Sequence, residues 1–190
     1  MFFIFYDKIV MVIVMDLRVK SNWITLMQMF VFSAFVGYIY EVIFYYFDMG
    51  KIINRGTTFG PWIPIYGFGT VFIILFCYKL RKKPFLVFML TCFISGIVEF
   101  FSGYCIFHIF NVRLWDYNVE ILNFGNIGGY ICLRSVLLFG VSSLLLLYFV
   151  LPFFEKLNSK NNKCVNYISI GLFLLFVLDM ILSGIFRLIK

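Results

Sequence analysis

Long apolar runs separated by short polar breaks dominate the pattern of the chain. Five runs reach or approach the roughly 20 apolar residues that a helix needs to cross a bilayer. They cover residues 23–47, 62–78, 85–110, 130–151 and 165–185, and the second is the shortest. Because the breaks are brief, helices that follow one another should pack antiparallel. The pattern predicts an all-α, polytopic membrane helix bundle with about five transmembrane helices and short loops.

The first 22 residues lie outside this pattern. Residues 1–15 are apolar but too short to span, and Asp7 and Lys8 interrupt them. They also lack the small-residue cleavage site of a secretory signal peptide. We interpret residues 1–22 as an apolar, interfacial N-terminal segment, with a mis-assigned start before Met15 as the alternative. Residues 23–190 then form a single transmembrane helical domain.

The composition agrees with a lipid environment. The 190 residues are 63% hydrophobic and 13% charged, whereas a soluble domain is about half apolar and about a quarter charged. The net charge of +7 does not indicate a nucleic-acid partner, because the basic residues flank the apolar runs and form no single stripe. The partner that the composition predicts is the lipid bilayer.

The distribution of basic residues predicts the orientation. Clusters of Lys and Arg occupy residues 79–83 and 155–163, and further basic residues precede the first span. The loops on the opposite side carry no net charge. Their basic residues are Lys51, Arg55 and Arg113, and their acidic residues are Asp48, Asp116 and Glu120. The positive-inside rule therefore predicts a multi-pass protein of the cell membrane with its N-terminus in the cytoplasm and its C-terminus outside.

The cysteines and the single histidine give no sign of a metal or cofactor site. The five cysteines are scattered without CxxC spacing, and only His108 could add a nitrogen ligand. Small apolar thiols packed in the reduced form are the simpler interpretation. We predict no metal and no cofactor.

One segment, residues 54–69, concentrates the residues that interrupt regular backbone. Its sequence NRGTTFGPWIPIYGFG holds two of the four prolines and four of the fourteen glycines. Irregular backbone at membrane depth is tolerated only inside protein or around a watery cavity. The segment is therefore either an ordinary surface loop before the second helix or part of the lining of a site.

Three ordered strings carry a resemblance to a known family. They are NRG, GP and PIYGxG within residues 54–69, WDY at residues 115–117, and NIxGxICL at residues 126–133. With these strings the chain resembles the bacterial membrane-protein family described as putative ABC-transporter type IV, or putative ABC transporter permease. Glu41 and Glu99 fall where that family carries intramembrane glutamates. The chain departs from the family pattern at Phe107, Tyr130 and Phe139, and Arg134 offsets an Arg that is usual at position 130.

The resemblance implies transport, but this chain does not carry the ATP-binding part. It has no GxxxxGK[ST] phosphate-binding loop. Coupling to ATP would require a separate ATPase subunit docked on the cytoplasmic loops, which are short. Assembly into a homo-oligomer is also compatible with the sequence.

Four ionisable residues share one layer of the predicted bundle. Glu41, Glu99, Arg134 and Asp179 each lie roughly 6–15 Å inside the outer boundary, at about 1.5 Å per helical residue. Charges at such depth usually face inward and pair. They either neutralise one another or line a polar pocket that opens outward. We predict that Arg134 pairs with Glu99 or Glu41 and that residues 54–69 pack on residues 115–129 as one outer cap.

These features leave three functions open. The first is a transporter or permease subunit whose outward-facing pocket binds a small polar or anionic solute. The second is an enzyme or carrier acting on a lipid or cell-envelope precursor, with Glu41 or Glu99 as general base. The third is a non-catalytic membrane partner or sensor. The predicted substrate-binding residues are Glu41, Arg55, Tyr66, Glu99, Trp115, Asp116, Asn126 and Arg134.

Overall fold

The computed structural model describes residues 23–54, 56, 58–160 and 162–189, and the side chains of these residues up to residue 186. The expectations for residues 1–22 and for Arg55 lie outside the described residues. The helices are α1 (Trp23–Met49), α2 (Pro64–Cys77), α3 (Pro84–Phe110), α4 (Leu133–Leu145), α5 (Leu151–Ser159) and α6 (Lys163–Ile189).

The described residues form helices and loops and contain no β-strand. Within the part of the chain that the structure describes, four helices are long and apolar enough to cross a membrane: Trp23–Met49, Pro84–Phe110, Leu133–Ser159 and Lys163–Phe186. A shorter apolar helix, Pro64–Leu80, adds the fifth element. The chain is a multi-pass membrane protein, and the predicted all-α membrane bundle is confirmed.

Proline and asparagine mark several helix ends. Pro64 and Pro84 stand in the first turns of α2 and α3, where a missing backbone N–H costs no hydrogen bond. α3 ends at Asn111, which adopts a left-handed φ of 54°, a conformation that Asn tolerates better than most residues. A 3-10 turn, Tyr78–Leu80, follows α2 and leads directly into α3.

The fourth spanning helix is longer than predicted because it continues past a proline. A π-helical turn, Leu146–Val150, joins α4 to α5, and the Leu151 N–H donates to the Leu146 carbonyl, five residues back. Pro152 has no N–H to donate and would clash with the preceding turn of a regular α-helix. The wider π turn accommodates this clash. The helix therefore runs on to Ser159 instead of ending near residue 151.

α1 is the central helix and packs against α2, α5 and α6, while α3 packs chiefly against α4. The most buried apolar side chains, including Met29, Val87, Leu147 and Leu151, lie towards the end where α1 and α3 begin. Above this core, at the end where α1 and α3 finish, the interior becomes polar. The candidate site is at that end.

A second set of buried polar side chains lies at the opposite end of the bundle. Asn158 Nδ2 donates to Thr25 Oγ1 (2.7 Å) and to Gln28 Oε1 (2.8 Å), and Gln28 Nε2 donates to Ser169 Oγ (2.7 Å). These bonds join α1, α5 and α6. Hydrogen bonds of this kind hold helices together where the surroundings are apolar.

Candidate functional site

Glu41 lies on the face of α1 that points towards α2. One turn earlier, Gly37 lets the Tyr66 ring approach so closely that a Cβ on residue 37 would come within 2.3 Å of the ring. The Tyr66 hydroxyl donates to Glu41 Oε1 at 3.0 Å. The structure thus brings together two of the predicted site residues, from α1 and α2.

Glu99 joins three elements. It lies in α3, and its carboxylate accepts a hydrogen bond from the hydroxyl of Tyr117, in the loop of residues 111–132. Its second oxygen accepts from Ser135 Oγ, on α4, at 2.8 Å. Burial, and then the neighbouring Glu99 charge, raise the pKa of Tyr117. Its phenol therefore stays protonated and acts as a donor.

Arg134 pairs with a residue that the sequence placed elsewhere. Its Nη2 lies 2.6 Å from Glu120 Oε2, and Nη1 donates to the Ile121 carbonyl at 2.9 Å. Tyr45 on α1 donates to the other Glu120 oxygen at 2.7 Å. The guanidinium also stacks over the ring of Phe44, 4.1 Å from its centroid.

The predicted pairing of Arg134 with Glu99 or Glu41 is therefore wrong. Glu120 was assigned to an exposed outer loop, where it balanced basic residues. Instead, the loop folds back over the bundle, and Glu120 is only 7% exposed. Sequence reasoning missed Tyr45, Tyr117, Glu120 and Ser135. Two of these carried a usable signal: Tyr45 follows Glu41 by four residues on one helix face, and Tyr117 ends the WDY string.

Three predicted site residues shape the loop of residues 111–132. Asp116 Oδ1 accepts from the Asn118 backbone N–H (3.0 Å) and from Arg113 Nη1 (3.1 Å). Asn126 Oδ1 accepts from the Gly129 N–H at 2.8 Å. Trp115 Nε1 donates to the Tyr130 carbonyl at 2.9 Å. These bonds hold the loop in the form that presents Tyr117 and Glu120 to the bundle.

The segment that precedes α2 is attached to α6 by Asp179. Its carboxylate accepts from the backbone N–H groups of Phe59 (3.2 Å) and Gly60 (2.9 Å) and from Trp62 Nε1 (2.7 Å). The loop of residues 111–132 is instead attached to α1, α3 and α4. The predicted packing of residues 54–69 on residues 115–129 stays a prediction.

A surface cleft of about 190 Å³ opens beside the polar cluster. Tyr45 and Met49 of α1 line it together with six residues of the loop: Arg113, Leu114, Trp115, Asp116, Val119 and Glu120. Among the described residues, no three His, Cys, Asp or Glu side chains are grouped so that they could hold a metal ion.

The cluster as a whole can bind and orient a polar group. It brings three carboxyl groups (Glu41, Glu99, Glu120) and one guanidinium (Arg134) into the interior of one end of the bundle, each with a hydroxyl or charged partner. Buried ionisable groups in a membrane domain are commonly part of a substrate or ion path.

A family model matches most of the chain. The model of the family described as putative ABC-transporter type IV matches residues 28–184. This range includes all the residues of the polar cluster. No curated protein matches the chain. No solved structure matches it either.

Proposed function

The chain belongs to the family described as putative ABC-transporter type IV, and from that membership we propose that it is the membrane-embedded subunit of a transporter, with a binding site for a small polar solute in the outer half of the bundle. The domain that carries this function is residues 23–190. A separate ATPase subunit would supply ATP hydrolysis. The N-terminus is cytoplasmic and the C-terminus outside the cell membrane.

The observation that carries the proposal is the position of Glu99. A carboxyl group in the middle of a membrane helix is costly, by about 2.5–3.5 kcal/mol on insertion scales when charged at the centre. Here it is held by Tyr117 from a loop and by Ser135 from another helix. A solute entering from the loop side would meet Tyr117 first and then the carboxylate.

The proposed site divides into two groups of residues. Glu41, Tyr66 and Glu99 contact the solute, whereas Arg134, Trp115, Asp116 and Asn126 hold the loop that covers it. Arg55 is included among the proposed site residues only because it belongs to the NRG string. This division supports a role for every residue that the sequence singled out, without requiring all of them to touch the solute.

The balance of charges supports a neutral polar or cationic solute better than an anionic one. Arg134 is already neutralised by Glu120 at 2.6 Å. Glu99, whose carboxyl group is held by Tyr117 and Ser135, adds a further acidic side chain at the same end of the bundle. An anion would have to bind beside it, and like charges at close range in a low-dielectric site repel strongly.

Ligand-dependent thermal unfolding of the purified protein in detergent tests the proposal. The panel contains amines, amino acids, sugars and inorganic phosphate. A bound solute stabilises the folded state by about 2.7 kcal/mol at a hundred times its Kd. We expect at least one amine or neutral polar solute to raise Tm in the unaltered protein and to lose this effect in Glu99→Gln.

Glu155→Gln is the matched control. Glu155 also accepts a hydrogen bond from a tyrosine, Tyr78, at 3.1 Å, but it lies at the opposite end of the bundle. Glu155→Gln should therefore keep the solute effect. A panel in which no solute acts, or in which Glu99→Gln responds as the unaltered protein does, contradicts the proposal.

A further inference from the structure

The cleft between α1 and the loop of residues 111–132 borders the solute site, but four of its lining residues have no part in that site: Met49, Arg113, Leu114 and Val119. It lies on the surface, whereas Glu41 and Glu99 lie inside the bundle. Its volume of about 190 Å³ exceeds that of several water molecules, each of which occupies about 30 Å³ in the liquid. The cleft can therefore hold a group of several non-hydrogen atoms.

The cleft lies at the depth of the lipid headgroups. α1 and α3 have 27 residues each and are therefore about 40 Å long, whereas the hydrocarbon core is about 30 Å thick. Their ends reach the interface. Met49 is the last residue of α1, and Arg113 follows the end of α3 by three residues. Trp115, which borders the same cleft, is a residue type that favours this layer.

Arg113 and Asp116, two adjacent side chains of opposite charge in the cleft, retain hydrogen-bonding atoms that can contact a ligand. Arg113 uses Nη1 to contact Asp116 Oδ1 (3.1 Å) and the Gly128 carbonyl (3.2 Å). Among the described residues, its Nε and Nη2 and the Oδ2 of Asp116 have no hydrogen-bond partner. The two side chains are 29% and 31% exposed. One can therefore receive an anionic group while the other receives a cationic group.

The guanidinium of Arg113 is held in a fixed orientation. It lies over the rings of Phe107 and Tyr130, 4.7 and 5.0 Å from their centroids. A stacked guanidinium keeps its donors in one plane. That geometry suits two oxygens of one phosphate.

The edge of the cleft is apolar and exposed. Met49 is 50%, Leu114 57% and Val119 74% exposed. Beside a charged pair at the interface, such an edge suits the glycerol and first methylene groups of a lipid. We propose that the cleft binds a phospholipid whose headgroup carries both a phosphate and a primary ammonium group. The phosphate contacts Arg113, and the ammonium donates to Asp116.

Lipid retention by the full chain tests this proposal. The protein is equilibrated in detergent with equal amounts of phosphatidylethanolamine, phosphatidylcholine and phosphatidylglycerol, and bound lipid is measured by native mass spectrometry. We expect phosphatidylethanolamine to be retained in preference to both others. Phosphatidylcholine lacks N–H donors for Asp116, and phosphatidylglycerol lacks the cation. Soluble phosphoethanolamine at high concentration should not displace it, because the apolar edge contributes as well.

Two variants locate the site. Arg113→Gln should lower retention of phosphatidylethanolamine about tenfold, as expected for the loss of a charge-assisted pair. Val119→Trp should lower it similarly by filling the cleft, and it changes no side-chain hydrogen bond. Lipid retention by Val119→Trp therefore tests the proposed site even if Arg113→Gln fails to fold. Lys51→Gln removes a positive charge from the loop that follows α1, outside the cleft, and should change nothing.

Equal retention of the three lipids overturns the proposal, as does unchanged retention in Val119→Trp. Displacement by phosphoethanolamine shows that a soluble headgroup suffices and contradicts the lipid as occupant. Glu99→Gln should retain lipid normally. Failure of the solute site and failure of the lipid site can therefore be distinguished.

Discussion

Arg134 attaches the loop of residues 111–132 to α4 through contacts with Glu120 and the Ile121 carbonyl. The pair is largely buried, with 15% and 5% of the two side chains exposed. In such a pair, the loss of one partner leaves the other charged and unpaired. Arg134 is therefore expected to contribute to stability through the loop that it holds.

Arg134→Met should destabilise the protein by roughly 3–5 kcal/mol, because Glu120 is left buried without its partner. The double variant Arg134→Met/Glu120→Gln should recover part of this loss. The measurement is the free energy of unfolding in detergent for both variants. Arg134→Met/Glu99→Gln is the control and should recover nothing. Equal recovery in both double variants would contradict the assigned pair.

Gly129 illustrates a backbone requirement within the same loop. Its φ is +80°, and a Cβ there would lie 2.3 Å from Arg113 Nη1 and 2.4 Å from Asp116 Oδ1. Gly129→Ala should cost about 1–2 kcal/mol from the strained φ, and the side-chain ends of Arg113 and Asp116 would have to shift. Protease sensitivity of the loop should rise accordingly. Gly171→Ala is the control, since nothing lies within 4 Å of that position.

The residues of the site could be predicted only in part. Glu41, Glu99 and Arg134 were identifiable because an ionisable residue inside an apolar run is costly and must have a partner. The identity of the partner was not, because it depends on how the loop folds back. Glu120 looks like any loop acid until the bonds of Asp116, Asn126 and Gly129 determine that fold.

At the scale of elements, the segment before α2 depends on α6. Phe59 and Gly60 present backbone N–H groups near the start of a membrane helix, and Asp179 accepts both. Backbone donors left without partners at that depth would each cost several kcal/mol. The carboxylate of Asp179, on a helix more than 100 residues further along the chain, therefore stabilises this irregular segment at its position before α2.

Asp179→Ala should release the segment before α2. Hydrogen exchange of the Phe59 and Gly60 amides should become faster, because both lose their acceptor. Ser183→Ala should have a smaller effect confined to Phe59, whose N–H also lies 3.0 Å from Ser183 Oγ. Unchanged exchange at Gly60 in Asp179→Ala would show that another acceptor holds the segment.

Element boundaries were predictable wherever the chain marks them chemically. Pro84 and Asn111 lie at the two ends of α3, close to the predicted limits of 85 and 110. The fourth helix was predicted too short because Pro152 and the polar residues after it resemble a helix end. The π turn that lets the helix continue leaves no clear sign in the sequence.

At the scale of the whole molecule, the orientation in the membrane is open to direct measurement. In a variant whose native cysteines are replaced, Val119→Cys should react with a membrane-impermeant reagent in intact cells. Lys160→Cys should react only after the membrane is opened. The basic residues at 79–83 and 155–163 favour this arrangement. Labelling of position 160 in intact cells, without labelling of position 119, would show that the orientation is the opposite one.

The helices of the bundle differ greatly in length. α2 and its 3-10 turn span Pro64–Leu80, which corresponds to about 25 Å, whereas α1 and α3 are about 40 Å long. The hydrophobic mismatch is therefore uneven around the molecule. We expect the surrounding membrane to thin beside α2 and the longer helices to tilt. Acyl chain length, and hence bilayer thickness, should influence how firmly the segment before α2 is seated on Asp179.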